Sequence, residues 1–203
     1  KTKIKSINFV GNSAYGARRL RDVIDTKQTH LFSWLRNDDI YDADKLRADE
    51  EKLRRFYYDH GYADFQIIST DVNFDDVANA YNITINVEEG TVYTFGKIAI
   101  DSTIAEVDPN ALYPLIETKE GNSYSARRVE DSVIALTQAV AERGFAFVEV
   151  TPRGDRNFDT NTIDVTYQID QGARIYIEAI NIVGNDRTRD HVIRREFDIS
   201  EGD

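Results

Sequence analysis

The clearest pattern in the chain is an alternation. Tyr81, Ile83, Ile85 and Val87 are separated by Asn82, Thr84 and Asn86, the period of a strand with one buried face. Ile163, Val165, Tyr167 and Ile169 repeat it about eighty residues later. Helical stripes precede both. Leu46, Leu53, Phe56 and Tyr57 share one helix face, as do Val129, Val133, Leu136 and Val140. Leu20, Val23 and Ile24 mark a shorter first helix. The strand before the first alternation runs Ala63, Phe65, Ile67 and resumes out of phase at Val72 and Phe74, which predicts a β-bulge between Ile68 and Asp71.

These elements form a repeat. Strand-like openings recur at residues 4–10, 95–100 and 177–183. Gly61-Tyr62-Ala63 returns as Gly144-Phe145-Ala146, and Val87-Glu88-Glu89-Gly90 returns as Ile169-Asp170-Gln171-Gly172. Independent anchors agree on one period, the mark of tandem domains. Each unit reads β-α-α-β-β, an α+β fold in which two helices cover one face of a three-stranded mixed sheet. The expected strand order is first, third, second, with the second strand at an edge. The units span residues 1–90 and 91–172, and residues 173–203 begin a third. Gly61 and Gly144 are expected to end helices in a left-handed turn, and Asp42 or Asp44 to cap the long helix of unit one.

Unit one is longer between its helices. The extra residues fall in 26–42, around Leu31, Phe32, Ser33, Trp34 and Leu35. Such aromatics usually pack onto their own domain, which is the favoured reading here. An exposed contact patch centred on Phe32 and Trp34 is the alternative.

Composition narrows the chemistry. A net charge of −11 with a pI near 4.8 disfavours nucleic acid, which needs a clustered basic surface. The charge divides as −3, −6 and −2 over residues 1–90, 91–172 and 173–203. Cysteine is absent, which excludes disulfides, thiolate catalysis and Cys-ligated zinc. Methionine is absent too, even at position 1, and the chain reads as the interior of a longer protein. His30, His60 and His191 share no ligand spacing. Asp155, Asn157 and Asp159 resemble the start of a calcium loop, but Thr160 and Thr166 stand where its Gly and Glu belong, so a hairpin turn is expected. No phosphate loop or nucleophile motif is present. No cofactor, metal or catalytic residue is assigned, and the chain is read as a non-enzyme.

The order and spacing of these landmarks, with Gly11-Asn12 and Gly184-Asn185 after a first strand and the segment Phe56-Tyr57-Tyr58-Asp59-His60-Gly61-Tyr62-Ala63, resemble POTRA domains. The fit is closest to the periplasmic arm of outer-membrane β-barrel assembly factors, the three units resembling the third, the fourth and the start of the fifth domain. Unit two departs from the pattern, with Asp101-Ser102 where the others have Val-Gly-Asn. The resemblance implies a Gram-negative periplasmic location, no nucleic acid, and two partner classes: nascent outer-membrane β-barrel proteins and accessory assembly lipoproteins. Contact with the membrane would come only through a barrel outside this chain. A POTRA arm of a two-partner secretion or autotransporter-assembly protein is the alternative.

An edge strand offers unpaired backbone groups to an added strand. Phe65, Gln66, Ile67, Ile68 and Ser69, beside the expected bulge, are the candidate residues. By resemblance, Arg194, Arg195 and Glu201 fall where the family docks an accessory lipoprotein.

Overall fold

The structure is a computed structural model, and it describes residues 1–172. They form two compact units, one over Lys1–Thr91 and a second beginning at Val92. The third unit expected from residue 173 lies outside the described residues.

In unit one, β1 (Lys3–Val10) leads into α1 (Ala17–Val23), a one-turn α2 (Ser33–Arg36) and the long α3 (Ala43–Asp59). The hairpin β2 (Gln66–Asp75) and β3 (Ala80–Glu88) completes it. The sheet order is β1-β3-β2, with β1 parallel and β2 antiparallel to β3. That is the order expected, and β2 is an edge. Ile83, Ile85 and Val87 point into a core shared with Ile4, Ile7, Leu20, Ile24, Leu46, Leu53, Tyr57 and Phe65. Burial of this apolar stripe holds α1 and α3 on one face of the sheet.

Local chemistry sets the ends. The Asp42 carboxylate accepts from the backbone N–H of Asp44 and of Lys45, capping α3. At the other end Gly61 takes φ +94°, where a side chain would be strained. His60 precedes it, and its Nδ1 lies 2.6 Å from the Phe56 carbonyl, one of the orphan acceptors of the last turn. The bulge falls one residue earlier than expected. The β2–β3 register slips between Ile67 and Ser69, leaving Ile68 unpaired.

Unit two repeats the plan. β4 (Thr94–Ser102), α4 (Ala126–Glu142), β5 (Val148–Asn157) and β6 (Thr162–Gln171) give sheet order β4-β6-β5. Its first helical segment differs from the expected α-helix. It is a pair of 3-10 turns, Pro109–Ala111 and Tyr113–Leu115, each with a proline in its first two positions. Pro114 has no N–H to donate back along a longer helix, so the segment stays as two short turns. The departure at Asp101-Ser102 is bridged by side chains. Ser102 Oγ accepts from Ile104 N at 3.1 Å, and Thr103 Oγ1 lies 2.8 Å from Asp170.

Candidate functional site

The surface of interest is the outer edge of β2, so the other edge of the same sheet is instructive first. In β1, Ile4 and Ile7 turn their backbone groups away from β3, and residues of the same unit satisfy these four groups. Ile4 N donates to Asp39 O at 2.7 Å, and Ile4 O accepts from Thr29 N at 2.8 Å. Ile7 N donates to the Gln28 side chain at 3.1 Å, and Ile7 O accepts from Arg21 at 3.2 Å. Tyr41 N reaches Thr2 O at 2.9 Å, extending the seal past the start of the strand. The long inter-helix segment, with Arg21 of α1, therefore covers this edge from Thr2 to Ile7.

Two buried carboxylates hold that segment down. Asp49 on α3 accepts from Asp25 N at 2.8 Å and Thr26 N at 2.9 Å. Asp39 accepts from Thr29 Oγ1 at 2.8 Å. The acidic run containing Asp39 reads from sequence as charge at the start of a helix, and Asp49 does not stand out at all. Asp49 sits among charged neighbours on a helix that looks solvated, and only its position one helical turn from Leu46 and Leu53 hinted at an inward face.

No such seal lies on β2. Among the described residues, no backbone segment outside the hairpin bonds to residues 66–75. The strand starts at Gln66, so four of the five candidate residues lie on it. Phe65 does not: it is buried and stacks on Tyr57 with ring centroids 3.9 Å apart. Its side chain packs into the core just before the strand begins. Ile68, the bulged residue, is 58% exposed. Beyond the bulge the two faces differ. Val72 packs against the core and Phe74 meets Tyr81 edge-on, 5.3 Å between centroids. On the opposite face Ser69 and Asp71 accept from the Asn86 amide at 2.8 and 3.1 Å.

The loop aromatics contradict the packing reading. Phe32 is 58% exposed and Trp34 72%, flanked by exposed Leu31 and Leu35. The cause is the turn of α2. Ser33 faces inward, its Oγ accepting from His30 N at 2.7 Å, which turns its neighbours on the short helix outward. Arg194, Arg195 and Glu201 lie outside the described residues.

One buried carboxylate ties the unit together. Glu89, at the end of β3, accepts from Ser13 N at 2.9 Å, from Ala14 N at 3.1 Å and from Tyr57 Oη at 2.7 Å. Burial, and then this bond to a carboxylate, raises the Tyr57 pKa well above its ordinary value. Among the described residues, no group of His, Asp or Glu is arranged to hold a metal ion, and no helix is long and apolar enough to cross a membrane.

Known proteins resemble this chain in sequence and fold. The model of the POTRA family, described as a surface antigen variable number repeat, matches residues 2–90 and again 93–172. The outer membrane protein assembly factor BamA of Neisseria meningitidis is 31% identical over 195 residues, which cover 96% of this chain and 24% of that protein. The BamA of Neorickettsia risticii is 32% identical over 205 residues, 100% of this chain and 27% of that protein. The chain thus spans about a quarter of the length of these relatives. The crystal structure of Haemophilus influenzae BamA POTRA3-5 superposes with a TM-score of 0.70 at 22% identity, covering 93% of this chain and 76% of that one; at that identity the likeness speaks for the fold. Matched by the family model over both described units, the chain belongs to the POTRA family.

Proposed function

We propose that this chain is part of the periplasmic arm of an outer-membrane β-barrel assembly factor in a Gram-negative bacterium, and that it works by binding and not by catalysis. The observation that carries the reading is the pair of edges in unit one: the outward groups of Ile4 and Ile7 in β1 are bonded within their own domain, while among the described residues no backbone segment outside the hairpin bonds to β2. An exposed ladder of N–H and C=O groups binds an extended chain through its main chain, with little demand on sequence. That suits a receptor for nascent barrel proteins, which share β-strand character and differ in sequence. Relatives named as outer membrane protein assembly factors over the whole chain favour this over a secretion transporter carrying the same domain. Accessory assembly lipoproteins are the second partner class, the exposed Phe32 and Trp34 being their candidate contact in unit one.

Site-specific photocrosslinking tests the reading. A benzophenone side chain at Ile68 is expected to capture urea-diluted outer-membrane barrel precursors. The same group at Ile134, an exposed position on α4, is expected to capture few. Equal yields at the two sites would count against strand addition at β2.

A further inference from the structure

The turn of α2 gathers apolar surface that strand pairing does not use. Leu31, Phe32, Trp34 and Leu35 are 81%, 58%, 72% and 61% exposed, and they lie within one run of the chain. Single exposed apolar residues are ordinary on a protein surface, whereas a contiguous patch of them marks an interaction site.

The backbone under this patch is satisfied from within. Ser33 N donates to His30 O at 3.1 Å, Leu35 N to Phe32 O at 3.1 Å and Asn37 N to Ser33 O at 2.9 Å. Two side chains take up further donors: His30 N bonds to Ser33 Oγ at 2.7 Å, and Phe32 N to His30 Nδ1 at 3.1 Å. Asn37 closes the turn in the left-handed region, at φ 55°. A turn wired in this way has no ladder to offer an extended chain. It also keeps these donors from being stranded in an apolar medium, the condition that a lipid phase imposes. The base of the segment is pinned as well, Lys27 N donating to Asp38 O at 2.9 Å and Thr29 N to Ile4 O at 2.8 Å. The aromatics are therefore presented on an ordered turn, which lowers the entropy lost on binding.

Charge points to the same occupant. The chain carries a net charge of −11, yet residues 26–37 contain no Asp or Glu. They contain Lys27 and Arg36 instead, and Arg36 is exposed on the last turn of α2 beside the patch. Exposed tryptophan and phenylalanine with an arginine at their border is the composition of a segment that lies at a lipid–water boundary. A stable protein interface takes roughly 800 Å² from each partner, more than four side chains on one turn supply by themselves.

We propose that this turn inserts into an anionic phospholipid surface, with Phe32 and Trp34 at the boundary of the acyl chains and Arg36 among the headgroups. The family resemblance leaves membrane contact to a barrel outside this chain; the turn adds a second, weak and reversible contact within unit one. It is independent of strand addition at β2, and it gives Phe32 and Trp34 an occupant other than the lipoproteins considered above.

Trp34 is the only tryptophan of the chain, so its fluorescence reports this turn alone. The 203-residue chain is titrated with vesicles of phosphatidylethanolamine and phosphatidylglycerol. Trp34 emission is expected to shift to the blue and to be quenched by brominated acyl chains. Phe32→Asp combined with Leu35→Asp is expected to abolish both effects while the urea midpoint stays that of the native chain. Arg36→Gln is expected to weaken partitioning about fivefold, the loss of one cationic contact with an anionic surface. Ile68→Asp, on the β2 edge, is expected to leave the shift intact. No shift with vesicles, or an equal shift in the double Asp variant, overturns the lipid contact and leaves strand addition standing. A shift produced by detergent-solubilised accessory lipoproteins and not by vesicles also overturns it, and assigns the turn to a protein partner.

Discussion

The Tyr57 hydroxyl donates to the Glu89 carboxylate across 2.7 Å, joining the last turns of α3 to the end of β3. The same carboxylate receives the N–H groups of Ser13 and Ala14, so it also fixes the turn that follows β1. Three elements far apart in sequence meet on one side chain. Replacing it with an amide leaves one oxygen to serve three donors and brings in a donor where none is wanted. Glu89→Gln is expected to destabilise unit one by about 1–3 kcal/mol, and Tyr57→Phe by about 1 kcal/mol. Urea unfolding read at Trp34 checks both, and an unchanged midpoint for Glu89→Gln would show the network to be dispensable.

The same pair sets a limit at high pH. Tyr57 ionises in the unfolded chain near the ordinary tyrosine value of about 10, while in the folded state burial and Glu89 raise its pKa. A group with a raised folded pKa contributes stability that is complete below the unfolded value and declines as pH rises above it. Tyr167 and Tyr15 are raised as well, burial being the first cause in each, and they act in the same direction. Stability should therefore fall from about pH 10 upward, and Tyr57→Phe should flatten that fall for unit one. A pH series of denaturant midpoints reads the effect; parallel curves for the native chain and the variant would refute it.

Much of this architecture was legible in the sequence because it rests on periodicity. Ile83, Ile85 and Val87 in β3, like Val129, Val133, Leu136 and Val140 in α4, face the core as their spacing requires. The family marks near Gly61 and Glu89 carried the domain type. What escaped was set by tertiary hydrogen bonding. Asp49 lies among charged residues of α3 and Asp39 in an acidic run, yet each is buried, Asp49 to receive the N–H groups of Asp25 and Thr26 and Asp39 the hydroxyl of Thr29. Trp34 read as core because it is large and apolar; the inward turn of Ser33, a small polar residue, is what sends it outward. Phe65 shares the alternation of the edge strand, but it precedes the first ladder pair and packs on Tyr57. The covered edge of β1 was invisible for the same reason.

Two glycines separate space from strain. Gly11 has φ +93°, and a Cβ built on it would lie 2.1 Å from the backbone oxygen of Val87. Gly144 has φ +99° with nothing within 4 Å of the same position. Gly144→Ala is expected to carry the backbone penalty alone, about 1 kcal/mol. Gly11→Ala must also move β1 away from β3 and should cost at least twice as much. Thermal unfolding of the two variants ranks them, and equal losses would mean that the contact with Val87 relaxes freely.

Phe32 and Trp34 give a prediction of opposite sign to their hydrophobicity. Large apolar side chains in a core cost about 3–5 kcal/mol when truncated. Here both are more than half exposed, so Phe32→Ser and Trp34→Ser should each shift stability by less than about 0.5 kcal/mol. The double variant should fold as the native chain does while losing capture of accessory lipoproteins from detergent-solubilised envelopes. A large drop in midpoint would return these aromatics to a packing role.

Thr70 allows backbone and side chain to be told apart at one position. Its Oγ1 is buried, and among the described residues it has no hydrogen-bond partner. A buried hydroxyl left without a bond costs roughly 1–3 kcal/mol, and valine has nearly the same shape. Thr70→Val should therefore stabilise unit one by about 0.5–1 kcal/mol. It also retains its backbone N–H, so capture of barrel precursors by a benzophenone at Ile68 should survive in Thr70→Val and fall in Thr70→Pro. If valine weakened binding as much as proline, the hydroxyl and not the backbone donor would be the recognised group, and the edge would be reading side chains.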